Sequence, residues 1–204
     1  MATGRSEAVN SIKRIRMKKI FVPIFFSLAM LIYAQPVAYV PETPVANDMV
    51  RINGGTFIMG SPENEWGRSN NEGPQRQVTV SSFYIGRFPV TQAEFQEIMG
   101  RNPSTFRGPN LPVEQVSWFD AIEFSNRRSI RAGLTPVYTI NGNNVTWNRE
   151  ANGYRLPTEA EWEFACRAGT QTPFNTGSSS IDAGWHSGNS GGRTHPVGQK
   201  QPKA

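Results

Sequence analysis

The chain has 204 residues, 37% of them hydrophobic, and a formal charge of +5. That excess lies wholly in the first 34 residues, where six basic residues meet one acidic residue, so the remaining 15 basic and 15 acidic residues leave a neutral body. Neutrality excludes a body built as a polycation for nucleic acid, and a single cysteine, Cys166, excludes an internal disulfide framework.

The leader accounts for its own charge. Lys18 and Lys19 precede an apolar run from Ile20 to Tyr33, and the small residue Ala34 stands before Gln35-Pro36. This is the layout of a secretory signal peptide over residues 1–34. A membrane span needs about 20 apolar residues, and Pro23 interrupts this shorter run. Met17 directly before the lysines would give a leader of ordinary proportions, so residues 1–16 read as a start-site misassignment. The expected location is exported, periplasmic or extracellular, with no span after cleavage. Residues 35–48, rich in proline, read as an extended linker, and residues 49–204 as one domain.

The domain opens with alternating residues on both sides of Asn53-Gly54, a pattern that predicts a hairpin between Met49–Ile52 and Thr56–Gly60. Ser61 to Pro74 is polar and predicts a surface loop, and Gln77 to Ile85 reads as strand with a break at Ser81-Ser82. Thr91 with Glu94 predicts a capped short helix ending at Gly100, and Ser117 with Asp120 a second, ending at Gly133. Its predicted buried side is Trp118, Ala121, Ile122 and Ser125. Val137–Ile140 and Val145–Trp147 flank Asn141-Gly142-Asn143-Asn144 and predict a further hairpin. Asn144-Val145-Thr146 also fits a glycosylation sequon, but a turn asparagine needs no second reason.

The most informative stretch is Gly153 to Gly169. Pro157 suits the first turn of a helix, Thr158 and Glu161 form a capping box, and Gly169 closes the segment. Trp162, Ala165 and Cys166 share one face, which predicts that this face is buried. Gln171 to Ala204 reads as loop, with Trp185 and Val197 as isolated anchors.

The run Tyr154 to Glu163 resembles the most recognisable motif of the formylglycine-generating enzyme family, also called the sulfatase-modifying-factor family. The opening strands and the Val90-Thr91 helix start are similar to that family as well. The resemblance spans about residues 49 to 202 and implies a C-type-lectin-like α+β fold with little regular secondary structure. For active members it implies oxidation of a substrate cysteine to formylglycine, using copper and a pair of reactive cysteines in a C-terminal part. Thr194 to Pro202 is similar to the segment that leads into that part, so the resemblance implies a domain incomplete at its C-terminus. Copper and calcium are therefore expected only for complete family members, with no cofactor, metal or catalytic residue assigned in this chain.

Other constellations fail on spacing. His186, His195 and Asp182 lie in a Gly-rich segment without the strand-turn-helix that aims a nucleophile. Gly188 to Thr194 lacks the Gly-Lys-Ser/Thr ending of a phosphate loop, and Asp182 with Asn189 is too irregular for a calcium loop. Cys166 reads as a small core hydrophobe rather than a nucleophile. Two functions remain: an oxidase lineage inactive as this chain stands, or a lectin-like module of the cell envelope that binds a protein or peptide. N-terminal sequencing of exported protein should begin near Gln35; intact Met1 or Met17 in the cytosol would refute export.

Overall fold

The structure is a computed structural model that describes residues 48–174 and 180–200; the leader, and the linker up to Asn47, lie outside the described residues. Regular elements are short. Strands β1 (Met49–Ile52), β2 (Gly55–Met59), β3 (Arg76–Val80) and β4 (Phe83–Gly86) precede helices α1 (Gln92–Met99) and α2 (Trp118–Arg131). Strands β5 (Tyr138–Asn141) and β6 (Asn144–Trp147) then lead to α3 (Glu159–Arg167) and the single turn α4 (Ser180–Ala183). That last turn falls within a segment whose composition predicts loop.

Asn53-Gly54 does not make a hairpin. β1 pairs antiparallel with β4, and β2 with β3. Ile52 faces Phe83 and Gly55 faces Val80, so a single register runs through both pairs, interrupted where Asn53-Gly54 passes Ser81-Ser82. Neither Asn53 nor Gly54 has a positive φ, which a two-residue hairpin of that type would require. Glycine is needed here for another reason: a Cβ on Gly54 would lie 2.5 Å from the Val80 carbonyl oxygen and 2.7 Å from the Ser81 carbonyl carbon. The Gly54 amide instead donates to Ser82 Oγ at 3.0 Å. The reversal itself comes from residues 60–75, where the Ser61 amide donates to the Glu72 carbonyl at 3.0 Å and Ser61 Oγ to the Glu72 carboxylate at 2.7 Å.

The helix starts follow their sequence signals. Thr91 Oγ1 accepts from the Glu94 amide, and Ser117–Asp120 and Thr158–Glu161 form complete capping boxes. No complete box is formed at Thr91, and the Glu94 carboxylate pairs with Arg128. Gly100, with φ 75°, ends α1, and Gly133, with φ 71°, follows α2. β5 and β6 form the expected hairpin around Gly142.

Two predicted core faces are corrected. On α2 Ile122 and Ser125 are buried as expected, together with Phe124 and Ser129, but Trp118 is 53% exposed. Phe124 stacks on Phe95 of α1 with centroids 5.5 Å apart, so the α1–α2 contact selects a face rotated away from Trp118. On α3 no residue is fully buried and Trp162 is 57% exposed. The face turned inward carries Glu163, Phe164 and Arg167. Phe164 meets Phe57 edge-on at 5.3 Å, Glu163 accepts from the Gly60 amide at 2.8 Å, and Arg167 donates to the Gly60 carbonyl at 3.0 Å. The i,i+4 pair thus satisfies both backbone groups at the end of β2, a requirement that a helical apolar stripe does not reveal.

Gly54→Ala should lower stability by at least ~2 kcal/mol, since backbone atoms cannot move aside as a flexible side chain would. Gly184→Ala, where an added Cβ meets nothing within 4 Å, should stay within about 0.5 kcal/mol of the parent. Urea melts of the two variants check the contrast.

Candidate functional site

The chain from Gly153 to Pro157 is held against α2 and β5 by side chains. Ser129 Oγ donates to the Ser125 carbonyl at 2.7 Å and accepts from the Tyr154 amide at 2.8 Å. Asn126 bridges the Tyr138 amide and carbonyl, and the Tyr138 hydroxyl accepts from the Leu156 amide at 3.0 Å. Gly153 is required at this crossing, because a Cβ there would lie 2.3 Å from the Thr135 carbonyl oxygen. These bonds set where α3 starts and therefore which of its faces meets the ribbon.

With Glu163 and Phe164 committed to the ribbon, Trp162, Ala165 and Cys166 face outward onto a groove of about 900 Å³. Its other walls are Val50, Ile52, Phe83 and Ile85 of the β1/β4 ribbon and Phe124 of α2. The apolar stripe read from the sequence is real, but it lines an open groove rather than the core. Cys166 is accordingly half-buried.

Five charged side chains around the groove form ion pairs. Arg128 donates to both oxygens of Asp48 at 2.9 and 2.7 Å, pairs with Glu94 at 2.7 Å, and lies 4.4 Å from the Tyr154 ring centroid. Burial opposes its charge, yet the bonds to Asp48 and the charge of Glu94 outweigh burial and raise the pKa of Arg128. One guanidinium faces two carboxylates, so the more buried acid bears the excess: burial pushes Glu94 above the usual carboxylate range, against the pull of Arg128 and with Asp48 adding repulsion. Arg155 forms a bidentate pair with Glu161 at 2.6 Å on each arm and lies 5.3 Å from the Trp147 ring. Burial of Glu161 works against its charge, but the bonds from Arg155 and the Thr158 amide prevail and hold its pKa below the ordinary value. What the groove offers a ligand is apolar surface rimmed by these ion pairs and by Arg87, which forms no salt bridge among the described residues.

The residues weighed as catalytic in the sequence take local roles. His186 Nδ1 accepts from the Gly188 amide at 3.1 Å, Asn189 closes the turn through the His186 amide and the Gly184 carbonyl, and His195 stacks on Trp185 at 3.8 Å. Among the described residues no group of three or more His, Cys, Asp or Glu side chains could hold a metal ion, and no helix is long and apolar enough to cross a membrane. Arg128 had no signal in the sequence beyond its helical position, and Glu94 only that of a capping partner; Arg128 meets Asp48 across 80 residues of chain.

Residues 36–204 match the family described as "Sulfatase-modifying factor enzyme 1-like domain". The chain is 35% identical to the chaperone protein LppX of Paenibacillus barcinonensis, over 78% of this chain and 66% of that protein. It is 34% identical to the inactive C-alpha-formylglycine-generating enzyme 2 of Bos taurus, over 60% of this chain and 49% of that protein. Among solved structures, Treponema denticola variable protein 1 superposes with a TM-score of 0.68 at 31% identity, covering 76% of this chain and 66% of that one. The chain thus spans from about half to about two thirds of the length of these relatives.

A carboxylate whose folded pKa is depressed stabilises above its unfolded pKa, about 4.3, and that stability is lost as pH falls through the folded value. Glu161 has this sign. The thermal midpoint of the parent should therefore fall more between pH 5 and pH 3 than that of Glu161→Gln, whereas at pH 7 the variant should be less stable by roughly 1–3 kcal/mol. Melts across that range check both halves.

Proposed function

Because the chain belongs to the sulfatase-modifying factor enzyme 1-like domain family, we propose that it is an exported, non-oxidising member with a lectin-like fold, whose groove binds an apolar protein segment. One observation carries this reading: Trp162, Ala165 and Cys166 line an apolar groove, while the charged side chains Arg128, Glu94, Arg155 and Glu161 beside it are already paired. Such a surface gains by excluding water from apolar side chains.

Formylglycine formation, as the family resemblance implies it, uses two protein thiolates to hold copper beside the substrate thiol, and these 204 residues by themselves contain one cysteine. Among the relatives are a chaperone and an inactive formylglycine-generating enzyme 2, as well as formylglycine-generating enzymes, so the family holds members with and without that activity. Export rests on the basic, apolar and small-residue pattern of residues 1–34. A protein or peptide is the proposed partner, with no nucleic acid.

The full chain should bind a permanently unfolded, apolar polypeptide, such as reduced and carboxymethylated α-lactalbumin, more tightly than a polar peptide of equal charge. Trp162→Ala should weaken that binding about fivefold or more, the scale of one buried aromatic contact. Trp66→Ala, 98% exposed and outside the groove, should leave it unchanged. With Cu(I) and a cysteine-containing sulfatase peptide the chain should form no aldehyde; aldehyde formation abolished by Cys166→Ser would overturn the reading in favour of the oxidase.

A further inference from the structure

The apolar groove is bordered by a strand edge. Among the described residues β1 and β4 pair with each other and with no further strand. The Arg87 amide donates to the Asp48 carbonyl at 2.7 Å, and the register continues from that bonded pair, with Ile85 opposite Val50 and Phe83 opposite Ile52. Bonded and non-bonded pairs alternate along an antiparallel ladder. Ile85 and Phe83 therefore exchange bonds with β1, while the amides and carbonyls of Tyr84 and Gly86 point the other way. No other backbone group meets them among the described residues.

This edge opens onto the groove. Side chains of a strand alternate between its two faces, so a groove touching one face of β4 would meet Phe83 and Ile85 alone. All four residues of β4 line it, so the groove wraps round the strand to the side where Tyr84 and Gly86 present their unpaired groups. Both residues are exposed. On β1 the outward-pointing Arg51 does not line the groove, and no residue of β2, β3, β5 or β6 does. The β4 edge is thus the one that the groove follows along its length.

Building on the binding role proposed above, we infer that the segment held in the groove is an extended strand of another polypeptide that pairs with β4. Such a strand satisfies the Tyr84 and Gly86 backbone groups while alternate side chains enter the groove beside Phe83 and Ile85. Backbone pairing gives affinity, and the pockets for alternate side chains give selection. A helix satisfies its own amides and carbonyls and would leave the β4 edge unpaired. Charge complementarity favours an uncharged segment, since the lining carries Arg87, Arg128 and Arg155 against Asp48, Glu94 and Glu161. The four residues of β4 extend about 13 Å, so a partner stretch of similar length, apolar at alternate positions, covers the edge.

Fluorescence anisotropy titrations of the full chain test this with an end-capped, labelled peptide alternating valine and threonine. Two derivatives carry N-methyl groups on every valine or on every threonine. Successive amides of a strand point to opposite edges, so each derivative loses the donors of one edge and keeps its side chains. The parent peptide should bind saturably. One derivative should bind about tenfold or more weakly, the loss of two or more backbone hydrogen bonds, and the other like the parent; which one is weakened reports the direction of the added strand. Tyr84→Pro removes an outward amide without touching a ladder bond. It should weaken both the peptide and carboxymethylated α-lactalbumin about fivefold more than Tyr84→Ala does, and if this variant folds poorly the two derivatives still decide. Equal binding of the two derivatives overturns the strand inference, and so does α-lactalbumin binding that Tyr84→Pro leaves unchanged. A dimer of the chain in sedimentation that Tyr84→Pro abolishes also overturns it, because the edge then belongs to a second copy. Failure of both the peptide and α-lactalbumin to bind would instead refute the binding role itself.

Discussion

Four- and five-residue strands leave most backbone amides of this domain without a ladder partner, and a buried amide without a partner is costly. That constraint organises the molecule. Where a larger sheet would satisfy these groups with neighbouring strands, here polar side chains projecting from the helices do it. Gln92, 1% exposed, donates from Nε2 to the Phe106 and Pro112 carbonyls and accepts at Oε1 from Asn102 Nδ2 and the Gly108 amide. One side chain thereby uses its full hydrogen-bonding capacity to hold the loop between α1 and α2. Ser129 does the same for Gly153-Tyr154, and Glu163 with Arg167 for Gly60.

This mode of construction explains why the groove is apolar. Helix faces that would carry charge toward water are turned inward to meet backbone groups, and the apolar stripe of α3 is left on the outside of the contact. Arg128, buried between Asp48 and Glu94, and Arg155, clasped by Glu161, then neutralise the carboxylates nearest the groove. Removing one member of such a set leaves its partner charged in a poorly solvated place, so these pairs constrain position more than they add net stability.

The structure also separates two meanings of glycine in this sequence. Gly100 and Gly133 serve backbone conformation, with φ of 75° and 71°. Gly54 and Gly153 serve proximity: each lies where another segment passes too close for a Cβ. An Asn-Gly pair between two alternating runs looks like the first kind and is of the second kind here.

Most local signals were legible in the sequence, Asn53-Gly54 being the exception. The capping residues Ser117 and Thr158 with their acidic partners, the β5–β6 hairpin, the break at Ser81-Ser82 and the family motif at Tyr154 to Glu163 all depend on residues within a few positions of one another, where backbone geometry leaves few alternatives. The partner of β1, the inward face of α3, the exposure of Trp118 and the meeting of Arg128 with Asp48 were decided only by the tertiary structure. In each of these the deciding atom belongs to a distant segment: the Ser81-Ser82 backbone for Gly54, Gly60 for Glu163, Phe95 for Phe124. Side-chain periodicity records that a helix has an apolar side. It does not record whether that side or the polar one is needed to satisfy a strand end, because that choice is set by unmet hydrogen bonds elsewhere in the chain.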